Sequence, residues 1–106
     1  PELTAVACTT DSQVLGVVRY AAEQGIDVPG QLSVTGFDGI PEAIDAHITT
    51  VRQPSKDKGL ESGNMLAELI EQRLSNAPAK SVRRAEAPTV LLETELIRGT
   101  SVAAPQ

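Results

Sequence analysis

The chain has 106 residues, of which 41% are hydrophobic and only 2% aromatic, so one domain with an aliphatic core fits it and disorder does not. Its net charge of −5 and sequence pI near 4.7 exclude strong nucleic-acid binding by this segment itself, because phosphate affinity requires a basic surface. The single cysteine, Cys8, excludes an internal disulfide, and no apolar run approaches the roughly 18 residues of a transmembrane helix.

In chain order, Leu3 to Thr10 (LTAVACTT) is short, apolar and partly β-branched, as expected of a strand buried on both faces. Cys8 reads as a small core residue of that strand. Thr10 stands three residues before Gln13, the spacing of a capping box. Val14, Leu15, Val18, Ala21 and Ala22 then recur at helical spacing, and Gly25 supplies a left-handed stop. This predicts a helix over 11–24. Pro29-Gly30 marks a loop, and LSVTGF, 32–37, is a second buried strand. A strand, a helix and a strand of these lengths make a βαβ unit with parallel strands. Pro41 opens a short helix, ITTVRQP is strand-like up to Pro54, and Ser55 is placed to cap a helix over 55–75. That helix carries a stripe of Leu66, Leu69, Ile70 and Leu74, with Gly59 and Gly63 on one face, where close backbone packing is expected. NAPAKSVRRAEAP is a polar loop that holds the adjacent pair Arg83 and Arg84 as a solvated turn. TVLLETELIRG is a last strand, and residues beyond Gly99 read as a frayed tail. The chain starts at Pro1 with no initiator Met and no visible signal peptide, so a piece of a longer protein is expected.

Ligands of open parallel sheets bind beyond the carboxyl ends of the strands. The first strand ends in Thr9, Thr10 and Asp11, and the second ends at Asp38, inside GFDG. Parallel strands bring these ends to one edge. A carboxylate there can accept two or more hydrogen bonds from neighbouring sugar hydroxyls, and Gly36 and Gly39 leave room for close approach. The plainer readings are that Asp38 belongs to an Asp-Gly turn or caps the short helix, and that Asp11 is a first-turn acid. His47 is a lone loop histidine with no chemistry assigned. No Ser/His/Asp set, no Cys/His metal spacing and no glycine-rich phosphate or dinucleotide loop is present, so neither catalysis, nor a metal, nor a cofactor is expected.

The segments VACTTDSQVLGVVRYAAEQGIDVPGQLSVTGFDGIPEA, ITTVRQPSKDKG and LLETELIRGTS, in that order, resemble the effector-binding core of the lactose-repressor/galactose-repressor (LacI/GalR) family over essentially the whole chain. The resemblance implies an α/β fold: an incomplete periplasmic-binding-protein-like lobe of type I, three-layer αβα with a mostly parallel sheet. It implies that 1–106 is the C-terminal part of that core. Residues 1–50 and 88–98 belong to its second lobe, and 51–75 are a crossover and a first-lobe helix. The DNA-binding domain lies elsewhere. It further implies effector contacts at Asp38, Gln53, Thr10 and Asp11, with Asp11 also capping the helix and supporting the site. Thr10 stands where many relatives have asparagine. Leu15, Arg19 and Ile44 fall on the family's dimer surface, although the segment before ITT is shorter than the common pattern and lacks its Pro-Pro.

The expected function is therefore the small-molecule sensor of a cytoplasmic, homodimeric transcription regulator, with a sugar or other hydroxyl-rich effector and no membrane contact. Operator DNA is expected to be met only by the missing domain. A sugar-binding protein of an ABC importer is the alternative, and an enzyme on an open α/β fold is a distant third.

Overall fold

The computed structural model describes residues 3–75 and 88–106, which form β1 (Ala5–Ala7), α1 (Asp11–Glu23), β2 (Ser33–Thr35), α2 (Pro41–Asp45), β3 (Thr50–Arg52), α3 (Ser55–Ser75) and β4 (Glu95–Ile97). The chain divides into two compact units, Pro1–Gln53 with Thr94–Gln106, and Pro54–Glu93. The expected polar loop with Arg83 and Arg84 lies outside the described residues.

In the first unit, Thr10 starts α1 from an extended backbone (φ −142°), and its Oγ1 accepts the Gln13 N–H at 3.3 Å. The return leg of the capping box lands one residue early, because Gln13 Oε1 accepts from Thr9 N at 3.1 Å and Thr9 Oγ1 at 3.0 Å. The helix closes at Gly25 (φ +69°), where Gly25 N donates to Ala22 O at 3.2 Å and Ile26 N to Ala21 O at 2.8 Å. α2 closes in the same way without a glycine. His47 takes φ +57°, its N–H reaches Ile44 O at 3.0 Å, and Ile48 N reaches Ala43 O at 2.9 Å.

β1 and β2 are parallel, with Ala5 opposite Ser33, and β3 and β4 are antiparallel, with Thr50 opposite Ile97. Parallel bridges Thr35–Thr49 and Asp38–Arg52 join the two pairs, through Gly36 N to Thr49 O at 3.0 Å and Asp38 N to Val51 O at 2.9 Å. The spatial order is β1-β2-β3-β4, three parallel strands and an antiparallel edge, the mostly parallel sheet of an incomplete αβα lobe. Val14 of α1, Val34 of β2, Ala43 of α2 and Ile48 form the buried core, and Val6, Cys8 and Leu15 pack against it. Complete burial of a valine contributes about 1.5–3 kcal/mol, so Val14 and Val34, both fully enclosed, anchor α1 on the sheet.

In this unit three expectations need correction. β1 is not buried on both faces: Ala5 and Ala7 are exposed and Val6 is half-buried, because β1 is the edge strand and pairs only with β2 among the described residues. The last strand is shorter than predicted, because β4 pairs only over Glu95–Ile97. Its partner β3 offers three residues before the chain reaches Pro54, which has no N–H to extend a ladder. The tail is not frayed up to Ala103. Ser101 is buried, its Oγ donates to Val34 O at 2.7 Å and accepts from Thr49 N at 2.8 Å, and Val34 N donates to Ser101 O at 2.9 Å. Thr100 N reaches His47 O at 2.7 Å, and Ser33 Oγ and Ala103 N lie 3.0 Å apart in a further bond. The tail thus fills the hydrogen-bonding side of β2 that β3 starts too late to cover.

In the second unit, α3 begins at Ser55 itself, and Pro54 O accepts from Lys58 N at 2.8 Å. Ser55 is thus the first helical residue rather than the cap. Leu66, Ile70 and Leu74 are exposed and Leu69 is half-buried. A Cβ on Gly59 or Gly63 would meet nothing within 4 Å, so the close packing expected on that face is absent among the described residues.

Candidate ligand-binding site

The carboxyl ends of β1, β2 and β3 reach the same edge of the first unit. Cys8 N donates to Thr35 O at 2.9 Å and Asp11 N to Phe37 O at 2.8 Å, which sets the end of β1 beside the end of β2. On the other side Gln53 N donates to Asp38 O at 2.9 Å. Asp38 and Gln53, 15 residues apart in sequence, meet through their side chains as well, Gln53 Nε2 to Asp38 Oδ1 at 2.6 Å. Both are half-buried. A carboxylate and an amide presented together offer acceptors and a donor to a ligand with neighbouring hydroxyls.

Asp38 is not the cap of α2. The N-cap is Ile40, which makes no side-chain bond. Asp38 instead sits at φ +130°, a left-handed backbone that a residue with a Cβ rarely adopts. Gly39 follows at φ +76°, and a Cβ there would lie 2.6 Å from Arg52 Cα. The room at Gly39 is therefore taken by the backbone of β3. The room at Gly36 is taken by the Asp11 carboxylate, which a Cβ would strike, and by Val14, at 3.0 Å from the same point.

Asp11 is fully buried. Its Oδ2 accepts from Gly39 N at 2.7 Å and Ile40 N at 2.9 Å, and its Oδ1 accepts from Thr50 Oγ1 at 2.6 Å. Of the four sequence-selected residues, Asp11 thus stands behind the edge, Asp38 and Gln53 form it, and Thr10 flanks it with its hydroxyl engaged at the helix start. Thr50, also buried, escaped sequence reasoning; nothing local in TTVRQP marks it, since its partner lies 39 residues away. Arg52 beside the bridge pairs with Glu95 at 3.2 Å, an exposed contact of small energetic weight.

Of the residues selected for a dimer surface, Leu15 and Ile44 are half-buried, and Leu15 packs on the core. Arg19 is exposed and pairs with Glu23 at 3.2 Å along α1. Among the described residues no group of three His, Cys, Asp or Glu side chains is placed to hold a metal ion, and no helix is long and apolar enough to cross a membrane.

Residues 1–102 match the family model of the periplasmic binding protein-like domain. An HTH-type transcriptional regulator of Mycobacterium tuberculosis is 42% identical over 105 residues, which is 99% of this chain and 26% of that protein. A LacI-family transcriptional regulator of Corynebacterium glutamicum, solved by crystallography, is 40% identical with a TM-score of 0.77, over 97% of this chain and 27% of that one. A complex of the transcriptional regulator CelR with cellobiose matches at 28% identity and a TM-score of 0.69, over 95% of this chain and 28% of that one. The chain spans about a quarter of the length of these relatives.

Proposed function

The chain belongs to the LacI/GalR family, within its periplasmic-binding-protein-like domain, and on that premise we propose that it forms one wall of the small-molecule sensor of a DNA-binding transcription regulator. The observation that carries the reading is the Asp38–Gln53 pair, joined at 2.6 Å at the carboxyl edge of a parallel sheet. In this reading the effector is a sugar or another hydroxyl-rich molecule. Asp38 accepts from its hydroxyls, Gln53 orients Asp38 and adds a polar contact, and Thr10 lies at the neighbouring strand end. The cellobiose complex of the relative supports that ligand class.

Residues 1–50 and 88–98 belong to one lobe of the sensor, and 51–75 cross to the other and supply its helix. Effector binding closes the lobes. A ligand shifts that equilibrium only by its difference in affinity for the two states. A dimer through Leu15, Arg19 and Ile44 carries the change to DNA-binding domains outside this chain. The protein works in the cytoplasm, needs no cofactor and performs no chemistry.

The test uses the intact protein that carries this sequence and DNA from its own promoter region. Fluorescence anisotropy is followed while mono- and disaccharides, cellobiose among them, are added. One sugar is expected to change DNA affinity, and Asp38→Ala is expected to abolish that response while leaving DNA affinity without sugar unchanged. A protein with a cleaved export signal and no DNA binding would overturn the regulator reading in favour of a transport protein using the same edge.

A further inference from the structure

We propose that Asp11 is the positioning residue that holds Asp38 in its ligand-ready backbone. The proposal rests on the reading of Asp38 as the effector ligand. Asp38 sits at φ +130°, which persists in a residue with a Cβ only when its surroundings over-determine it. Asp11 brackets that residue on both sides. Its own N–H holds Phe37 O at 2.8 Å, one residue before, and its carboxylate holds the N–H groups of Gly39 and Ile40, one and two residues after. The remaining oxygen reaches Thr50 Oγ1 at 2.6 Å, on the strand that leads to Gln53.

One side chain therefore fixes both segments that present the polar pair. Its burial is complete, so no water competes for these bonds. The sequence makes space for it, since any residue larger than glycine at position 36 would strike its carboxylate. A ligand group held in this way needs no ordering when the effector arrives. If the ligand-ready geometry becomes a minor state, apparent affinity falls by the fraction that remains competent.

The test compares Asp11→Ala, Asp11→Asn, Thr50→Val and Ala21→Gly in the intact protein. Asparagine keeps one oxygen able to accept from both Gly39 and Ile40, and alanine keeps none. Ala21→Gly weakens α1 about three turns away and serves as the stability control. The readouts are amide hydrogen exchange at Gly39 and Ile40, sugar affinity by calorimetry, and the thermal midpoint. Asp11→Ala is expected to speed exchange at both amides and weaken sugar binding, each by about tenfold or more, with Asp11→Asn restoring most of both. Thr50→Val, which removes one arm, is expected to give a smaller loss of the same kind. Ala21→Gly is expected to lower the midpoint while leaving sugar affinity within about twofold of the parent, since it touches no site residue. Unchanged exchange at Gly39 and Ile40 in Asp11→Ala, or equal affinity losses in Asp11→Ala and Ala21→Gly, would overturn the proposal. If the parent binds none of the sugars, the effector reading alone falls, and the exchange data still decide whether Asp11 holds the turn.

Discussion

Gly39→Ala adds one methyl group where the turn after β2 lies against the backbone of β3, and its cost can be worked from the geometry. An L-residue at φ +76° costs about 1–2 kcal/mol more than glycine. The new Cβ would also lie 2.6 Å from Arg52 Cα and 2.7 Å from Arg52 Cβ. Neither atom is the free end of a side chain, so the β3 backbone must move, an overpacking cost of about 1–3 kcal/mol. Together the two reach about 2–5 kcal/mol, a large part of the 5–15 kcal/mol typical of a domain. At about 4–8 °C per kcal/mol for a domain of this size, the midpoint should fall by about 10 °C or more. The movement is directed at the Asp38–Arg52 bridge, so the Asp38–Gln53 pair should be disturbed as well. Thermal unfolding followed by circular dichroism, with Gly16→Ala as the comparison, checks this. Gly16 lies inside α1 with nothing within 4 Å of its would-be Cβ, so alanine there should stabilise by up to about 1 kcal/mol. Equal midpoints for Gly39→Ala and the parent would refute the steric account of GFDG.

His47→Gly should raise stability by about 0.5–1 kcal/mol, because His47 occupies the left-handed position that ends α2; a lower midpoint in thermal denaturation would count against that. Ser101→Ala removes the hydroxyl that serves Val34 O and Thr49 N and leaves both with an unmet bond, a cost of about 1–3 kcal/mol by chemical denaturation. A change below about 0.5 kcal/mol would mean that the tail does not hold the base of β2 and β3. The chain studied alone exposes Leu66, Ile70 and Leu74 along α3, so light scattering at micromolar concentration should show a dimer or larger species. Replacing the three by serine should shift it toward monomer.

Much of the fold was legible from local pattern. The apolar run of β1, the capped periodicity of α1 and the Gly25 stop each act within a few residues, and each appears where the sequence puts it. Alternation and helical spacing are local properties, so they survive in a sequence read alone. The ends of elements were less legible. β4 is cut to Glu95–Ile97 by the length of its partner, and the tail is held by Val34 and Thr49, which lie 67 and 52 residues from Ser101. The histidine that closes α2 carries no glycine signal, because the Thr100 N–H bond to its carbonyl helps hold a backbone that its type disfavours.

The site divides in the same way. The sequence by itself determined that polar residues end two apolar strands and that parallel pairing must bring Asp38 and the 10–11 pair to one edge. Only the tertiary structure decided their roles. Asp11 and Asp38 are both carboxylates beside turns, and nothing in their neighbours separates them. Chain crossing does. Two backbone amides and the Thr50 hydroxyl enclose Asp11 and remove it from water, whereas Asp38 is turned to the edge and meets Gln53. Burial and partnership between residues 28 to 39 positions apart are properties of the folded chain, set by which segments pass close together, and no local pattern encodes them.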